Sequence, residues 1–150
     1  MTLTWCIKPF ATLTQAELYQ MLRVRQDVFV VEQNCPYHDI DDTDSDWLHV
    51  LGYQEQQLVA YARLRLGTLQ HPSVARIGRV LVTENTRGRG IARELMQRSM
   101  RYIHEHAAER VVAISAQCYL LDFYRSLGFK NVGEPYEEDG IPHQDMEWQP

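Results

Sequence analysis

Residues 76–106, RIGRVLVTENTRGRGIARELMQRSMRYIHEH, contain the pattern that decides the fold. Val80, Leu81 and Val82 form a short apolar run, which predicts a strand covered on both faces. After residues 87–90 the apolar side chains recur at helical spacing, on a stripe made by Ile91, Leu95, Met96, Met100, Ile103 and Ala107. The stretch therefore predicts a buried strand, a loop rich in glycine and arginine, and a long amphipathic helix.

The loop before this helix has the chemistry of an anion-binding site. The first turn of a helix has backbone N–H groups without partners, and the helix dipole adds roughly half a positive charge there. Gly88 and Gly90 let backbone N–H groups approach a ligand closely. Arg87, Arg89 and Arg93 can add charge-assisted donors to phosphate oxygens. Together these features predict a loop that binds a pyrophosphate.

Two common phosphate-binding loops do not fit this segment. The dinucleotide fingerprint needs a third glycine for close packing of helix and strand, and the bulky Arg93 stands at that position. The nucleoside-triphosphate loop needs a lysine and then a serine or threonine after its last glycine, where this chain has Ile91 and Ala92. The segment therefore matches neither of these two loops.

The segment Arg87-Gly88-Arg89-Gly90-Ile91-Ala92 resembles the signature of the GNAT superfamily of N-acetyltransferases, which is Gln or Arg, two residues, Gly, one residue, then Gly or Ala. Residues 121–129, LDFYRSLGF, resemble the second signature of that family, an aromatic helix ending in Tyr, three residues and Gly-Phe. Residues 28–33, 35–37 and 140–143 resemble the small ElaA-type subgroup. The resemblance spans nearly the whole chain.

The resemblance implies an α+β (α/β) protein with the GNAT-like acyl-CoA N-acyltransferase fold, in a single domain of residues 1–150. The residues agree with it, since they predict hairpins over 47–66 and 129–148 around a strand–helix–strand unit. The helix that begins after residue 14 is predicted to end near Glu32. A strand is predicted over 111–115, followed by a helix over 118–127 that Gly128 ends. The expected architecture is a mixed, mostly antiparallel sheet of about six or seven strands, flanked by about four helices.

The resemblance also implies an activity, acetyl transfer from the cosubstrate acetyl-CoA directly to an amine, without an acyl-enzyme and without a metal. In that family the backbone of the strand matching Val80, Leu81 and Val82 binds the pantetheine arm. The tyrosine matching Tyr124 protonates the departing thiolate, and a phenol is protonated at neutral pH as this role requires. Gln117 stands where the family more often has a cofactor-contacting Asn. The pyrophosphate is assigned to Arg87, Gly88, Arg89, Gly90, Ile91, Ala92 and Arg93.

Four residues have two interpretations each. Arg25 lies on the apolar stripe of a helix that begins with a capping box at residues 14–17, so it either pairs with a carboxylate or carbonyl in the interior or points into the substrate cleft. Glu32 and His143 are candidates for substrate binding or for the general base, although a water could carry that proton or both could be structural. Tyr124 could instead be an ordinary core residue.

Charge and composition limit the partners. The net charge is −5, with a basic segment at residues 76–110 between acidic segments at 32–55 and 134–150. This distribution suits an anionic cofactor and a small-molecule or peptide amine, and it disfavours nucleic acid. No apolar run or signal peptide suggests a membrane, and three widely spaced cysteines argue against a disulfide framework, so we expect a cytoplasmic protein, with a homodimer left open.

The acidic stretch at residues 39–46 predicts a solvated loop, with attraction of a substrate amine as the alternative. It is no calcium loop, because Trp47 and Tyr53 occupy the positions where glycine and glutamate are needed. Cys35 and His38 have no second pair of zinc ligands nearby.

Two other classes of function stay open at this point. One is a non-catalytic module that senses CoA. The other is a nucleic-acid binder that uses the basic residues of the loop and helix, namely Arg87, Arg89, Arg93, Arg98 and Arg101.

Overall fold

The computed structural model describes residues 2–150, which form seven strands and three α-helices. The strands are β1 (Thr4–Pro9), β2 (Leu48–Gln54), β3 (Gln57–Arg65), β4 (Val74–Val82), β5 (Val111–Gln117), β6 (Lys130–Glu138) and β7 (Ile141–Trp148). The helices are α1 (Gln15–Arg25), α2 (Ile91–His106) and α3 (Leu121–Ser126). The predicted fold class is confirmed, with three α-helices where about four were expected.

The strands form one sheet in the order β1-β2-β3-β4-β5-β7-β6. β4 and β5 run parallel, with Val74–Arg76 in register with Val111–Ala113. The pairs β1–β2, β2–β3, β5–β7 and β6–β7 are antiparallel. Both predicted hairpins are therefore present, and the sheet is mixed and mostly antiparallel as expected.

The chain divides into two compact units. The first unit contains residues 2–64 and 79–96, and the second contains residues 65–78 and 97–150. The core of the first unit is built from apolar side chains of α1, its extension and the strands: Met21, Val24, Val28, Leu51, Leu58, Tyr61 and Leu81. No helix among residues 2–150 is both long enough and apolar enough to cross a bilayer.

The helix expected to end near Glu32 changes its geometry before that point. α1 ends at Arg25, and Gln26–Glu32 continues as a π-helix. The N–H group of Cys35 bonds to the carbonyl of Val30, five residues earlier, at 2.9 Å. The wider turn brings the chain to Glu32 at a different angle from an α-helix, and such turns are frequent at functional sites.

Two further boundaries differ from the sequence-based expectation. β5 continues to Gln117, where a strand ending at residue 115 was predicted. The helix predicted over residues 118–127 is a 3₁₀ turn (Cys118–Leu120) followed by the shorter α3. Gly128 ends α3 with a φ of +99°, and a Cβ there would lie 3.0 Å from the Trp148 ring, so both conformation and space require glycine.

The predicted capping box begins α1. The Thr14 side chain accepts a hydrogen bond from the N–H of Glu17 at 3.1 Å, and the Glu17 carboxylate accepts one from the N–H of Thr14 at 2.8 Å. These two bonds satisfy donors that the first helical turn otherwise leaves unpaired.

Removing this cap tests its contribution. Thr14→Ala should lower the free energy of unfolding by about 1 kcal/mol, because the N–H of Glu17 loses its acceptor. Urea denaturation measures the change, with Thr14→Ser as the matched control that keeps the hydroxyl. Equal stability of Thr14→Ala and Thr14→Ser would contradict the assignment.

Candidate active site

The predicted anion-binding loop lies between β4 and α2 in the first unit. Gly88 and Gly90 have φ angles of +81° and +79°, which favour glycine. A Cβ added at either position would meet no atom within 4 Å, so both glycines border open space. With the amides of the first α2 turn, this loop has the shape and polarity to hold a pyrophosphate.

Arg87 is tied to the end of the π-helical segment. Its Nη1 and Nη2 donate to the Glu32 carboxylate at 2.6 and 2.9 Å, and its Nε donates to the carbonyl of Val82 at 3.0 Å. All three guanidinium nitrogens therefore have protein acceptors. The structure brings Glu32 to the loop, which the sequence did not predict, and Arg87 contributes here by holding the loop. Arg89 and Arg93 are exposed.

The strand that precedes the loop is largely buried, as its apolar run predicted. Leu81 and Val82 are buried and Val80 is half-buried. The N–H of Thr83, one residue later, donates to the carbonyl of Val59 at 2.8 Å, which ties this end of β4 to β3. The residues present thus fit the pyrophosphate of an acyl-CoA: two glycines facing open space, a helix N-terminus, and exposed arginines nearby.

Arg25 is fully buried and paired with carboxylates, as its structural interpretation expects. Its Nε lies 2.8 Å from Asp39 Oδ2, and its Nη1 lies 2.7 Å from Asp44 Oδ1. Its guanidinium carbon lies 5.8 Å from the centre of the Tyr61 ring. A buried guanidinium with two carboxylates is electrostatically satisfied without a ligand.

Arg25 belongs to a larger ionic network of three arginines and three aspartates, Arg25, Arg63, Arg79, Asp39, Asp41 and Asp44. Arg63 Nη2 lies 2.6 Å from Asp41 Oδ2, and its Nη1 lies 2.9 Å from Asp44 Oδ1. Arg79 Nε lies 2.7 Å from Asp39 Oδ1. The prediction of a solvated acidic loop is therefore wrong for these aspartates, since their charges neutralise arginines of α1, β3 and β4.

The network shifts the titration of its acids. Hydrogen bonds from Arg63 hold the pKa of Asp41 well below its usual range. Burial alone would raise the pKa of Asp44, but the hydrogen bonds and charges of Arg25 and Arg63 outweigh burial and lower it. Both carboxylates are thus ionised at neutral pH, and the neighbouring arginines neutralise their charge.

His49 completes this buried region. The Tyr61 hydroxyl donates to His49 Nδ1 at 2.6 Å, and His49 Nε2–H donates to the carbonyl of Asp44 at 2.9 Å. Burial lowers the pKa of His49. A neutral His49 therefore anchors the backbone of the aspartate loop.

The second unit contains Tyr124, which lies on α3. Only 6% of its surface is exposed, and its ring meets Phe123 and Phe129 edge-on at centroid distances of 5.1 and 6.0 Å. Burial raises the pKa of Tyr124 well above its ordinary value, so the phenol is protonated at neutral pH. Among residues 2–150, none forms a hydrogen bond with its hydroxyl.

Gln117 and His143 face each other across the β5–β7 ladder in the second unit. His143 Nδ1 lies 2.7 Å from the carbonyl of Ile141, which can only accept, so Nδ1 carries the proton in the neutral ring. His143 Nε2 lies 3.7 Å from Glu138 Oε2.

The predicted site residues thus divide between the units. The first unit holds the β4 residues, the loop, Arg25 and Glu32, and the second holds Gln117, Tyr124 and His143. Within residues 2–150, no group of three or more His, Cys, Asp or Glu side chains could hold a metal ion.

Sequence reasoning missed the ion pairs of Asp39, Asp41 and Asp44, because their partners lie 14 to 40 residues away. It also missed Asp145, which accepts hydrogen bonds from Ser115 and Tyr136. The two-residue period of β5 and β7 could have placed Ser115 and Asp145 on one face, given the register.

Comparison with known proteins identifies the family. A family model described as an acetyltransferase (GNAT) domain matches residues 13–150. The chain belongs to the GNAT acetyltransferase family. Protein ElaA of Escherichia coli (strain K12) is 45% identical over 136 residues, which cover 89% of this chain and 88% of that protein. The GNAT family and the ElaA-type resemblance, both predicted from sequence, are confirmed.

Solved structures of GNAT proteins agree over nearly the whole chain. The crystal structure of Escherichia coli ElaA matches with a TM-score of 0.92 at 40% identity, covering 99% of this chain and 100% of that one. An acyl-CoA N-acyltransferase from Pseudomonas aeruginosa matches with a TM-score of 0.91 at 39% identity, covering 98% and 99%. The general activity of the GNAT family, acyl transfer from an acyl-CoA, is accordingly the activity class of this chain.

The ionic network of this GNAT protein makes a prediction for stability. Asp44→Asn should lower the free energy of unfolding by about 3 kcal/mol at pH 7, because Arg25 and Arg63 lose a shared buried partner. The Asp44 pKa is lowered in the folded state, so this stabilisation is complete above the unfolded pKa of about 3.9 and is lost as the pH falls through the folded value. The difference from the native protein should therefore shrink in acid.

Urea denaturation at pH 7 and below pH 4 measures both effects. Asp46→Asn is the matched control, since Asp46 is exposed on the same 3₁₀ turn, and it should stay within about 0.5 kcal/mol of the native protein. Equal losses in the two variants would contradict the role of Asp44.

Proposed function

We propose that this chain is an N-acetyltransferase that moves an acetyl group from acetyl-CoA directly to an amine acceptor, acting as a single domain in the cytoplasm, where acetyl-CoA is available. The observation that carries the proposal is the loop of Gly88 and Gly90, where two positive-φ glycines border open space at the start of α2. The GNAT family membership supplies the reaction class.

The loop residues would bind the pyrophosphate through backbone amides. Arg89 and Arg93 are exposed and can reach phosphate oxygens from the sides. Arg87 keeps its bonds to Glu32 and to the carbonyl of Val82, and so fixes the position of the loop relative to the end of β4. This division suits a site that must be preformed, because a loop ordered only on binding would spend part of the binding energy on ordering itself.

Bound acetyl-CoA supplies a thioester, whose carbonyl carbon the amine attacks directly. Tyr124 is the proposed general acid, donating its phenolic proton to the departing thiolate. Two observations support this role. The Tyr124 hydroxyl is protonated and forms no hydrogen bond with any of residues 2–150, and its ring is fixed between Phe123 and Phe129.

The raised pKa of Tyr124 has two consequences for this role. It keeps the proton in place before the reaction, but it makes the phenol a weaker acid than a solvated one. A thiolate leaving into the same dry surroundings is also destabilised, because burial in apolar surroundings raises the pKa of a thiol. Burial thus raises the proton affinity of both the Tyr124 phenolate and the thiolate, so proton transfer from the phenol to the thiolate stays feasible.

Thermal unfolding with ligands tests the cofactor. Acetyl-CoA at about 100 times its dissociation constant should stabilise the protein by roughly 2.7 kcal/mol, whereas NAD and ATP should stabilise it far less. Gly90→Asp should abolish most of this shift, since a side chain and a negative charge would enter the phosphate space.

The matched control for the loop is Gly133→Asp. Gly133 also has a positive φ, +71°, and also borders open space, but it lies on β6. This variant carries the same backbone strain and charge, and should bind acetyl-CoA as the native protein does. Equal loss of binding in both variants, or no shift with acetyl-CoA in the native protein, would overturn the cofactor assignment.

Tyr124→Phe tests the general acid. It should lower kcat by about 100-fold, because general acid catalysis typically contributes 10²- to 10⁴-fold, while the dissociation constant of acetyl-CoA changes little. Thiol release from acetyl-CoA in the presence of amines measures turnover. Tyr19→Phe is the control, since Tyr19 is 73% exposed on α1. Full activity of Tyr124→Phe would exclude the role. If the native protein itself binds acetyl-CoA but acetylates none of the amines, the CoA-sensing module is favoured instead.

A further inference from the structure

A polar surface lies on one face of the sheet in the second unit. The β5–β7 register pairs Ser115 with Asp145 and Gln117 with His143, and the β6–β7 register pairs Tyr136 with His143. Because residues two apart on a strand share a face, these side chains point the same way. We call Ser115, Tyr136, Glu138, His143 and Asp145 the β5–β7–β6 face.

Asp145 is held in a fixed orientation on this face. Its Oδ1 accepts hydrogen bonds from the Tyr136 hydroxyl at 2.6 Å and from Ser115 Oγ at 3.1 Å. Arg76 Nη2 donates in turn to Ser115 Oγ at 3.3 Å, on the side away from β6. Both bonds to Asp145 end on Oδ1, so Oδ2 has no hydrogen bond from any of residues 2–150.

His143 supplies a second and independent feature. The residue is only 8% exposed, and its ring stacks on Tyr136 with a centroid distance of 6.0 Å and an interplanar angle of 21°. Because Nδ1 donates its proton to the carbonyl of Ile141, Nε2 has a free lone pair. The Glu138 carboxylate lies 3.7 Å from Nε2, which is too far for a hydrogen bond, so it does not occupy that lone pair.

We propose that the β5–β7–β6 face is the acceptor site, with His143 Nε2 as the general base and Asp145 as the binding group for a second cationic centre of the acceptor. This inference rests on the proposed N-acetyltransferase function. It assigns the acceptor to the class of diamines and longer polyamines, since one positive group would be deprotonated at His143 and another would stay charged at Asp145.

The spacing of the two groups supports that class. His143 and Asp145 are two residues apart on β7, and two strand steps span roughly 7 Å. The four-carbon chain of 1,4-diaminobutane can bridge such a distance, whereas n-butylamine has the same chain and only one amine. Two positively charged side chains, those of Arg76 and Lys130, lie on or beside the face. Arg76 donates to Ser115, and Lys130 pairs in register with Glu147.

The reaction balances with the residues named. The acceptor ammonium gives one proton to His143 Nε2, which later releases it to solvent. The amine nitrogen then forms a bond with the acetyl carbonyl carbon, and the carbon–sulfur bond breaks. The departing sulfur takes the proton of Tyr124, and the nitrogen gives its surplus proton back to Tyr124. One proton is released for each acetyl group transferred.

Steady-state kinetics with 1,4-diaminobutane and n-butylamine test the proposal. Asp145→Asn should raise KM for the diamine about fivefold and change KM for the monoamine less than about twofold, because only the diamine has a second positive charge that pairs with Asp145. His143→Gln should lower kcat for both amines by about 100-fold, with acetyl-CoA binding unchanged. His104→Gln, on the exposed side of α2, is the control and should behave as the native protein.

A third probe separates a base from a structural histidine. Methoxyamine is neutral at the assay pH and needs no deprotonation before attack, so His143→Gln should slow its acetylation far less than that of the two alkylamines. Equal slowing of all three would overturn the base assignment. Equal effects of Asp145→Asn on diamine and monoamine would overturn the assignment of the second cation site.

Binding measurements cover the case in which turnover is absent. Titration of the ¹⁵N-histidine-labelled protein with 1,4-diaminobutane should shift the ring signals that His143→Gln removes. If acetyl-CoA stabilises the protein but the diamine neither shifts these signals nor is acetylated, the acceptor proposal fails while the proposed function stands. If acetyl-CoA does not bind, the proposed function itself fails.

Discussion

The first unit depends on the neutralisation of three buried or half-buried arginines by one acidic loop. Arg25 belongs to α1, Arg63 to β3 and Arg79 to β4, and Asp39, Asp41 and Asp44 reach all three from the connecting segment. An unpaired buried charge costs several kcal/mol, so the helix, both strands and the loop can only be assembled together. The loop therefore helps to hold the first unit together through its aspartate side chains, although its composition is that of a surface segment.

The ionic network is also connected to the anion-binding loop, through α1. The helix that starts at the capping box carries Arg25 at its end, and the π-helical segment continues from there to Glu32. Glu32 holds Arg87, and Arg87 holds the carbonyl of Val82 at the end of β4. An unbroken series of contacts therefore joins the ionic network to the two glycines that border the open space, which makes the loop a fixed feature of the first unit.

Local patterns in the sequence predicted much of this arrangement. The capping box of Thr14, the two hairpins, the helix stop at Gly128 and the strand–loop–helix around Gly88 each depend on residues close together in the chain, so spacing alone identifies them. The pairing of Asp39 with Arg79, or of Glu32 with Arg87, joins residues 40 and 55 positions apart. Composition cannot reveal such pairs, so aspartates that pair with arginines were predicted to be solvated. Asp145 was missed for a similar reason, since its partners lie on strands that the register alone brings together.

β6 forms one edge of the sheet, and all nine of its residues, from Lys130 to Glu138, are exposed. An exposed edge strand is a template on which another chain can add a strand and begin to aggregate. Three features of β6 oppose this: Pro135 has no N–H to donate, Gly133 lies within an irregular stretch of the register, and Glu134, Glu137 and Glu138 repel a like-charged edge. The chain can thus keep an open hairpin beside its polar face and still resist uncontrolled self-association.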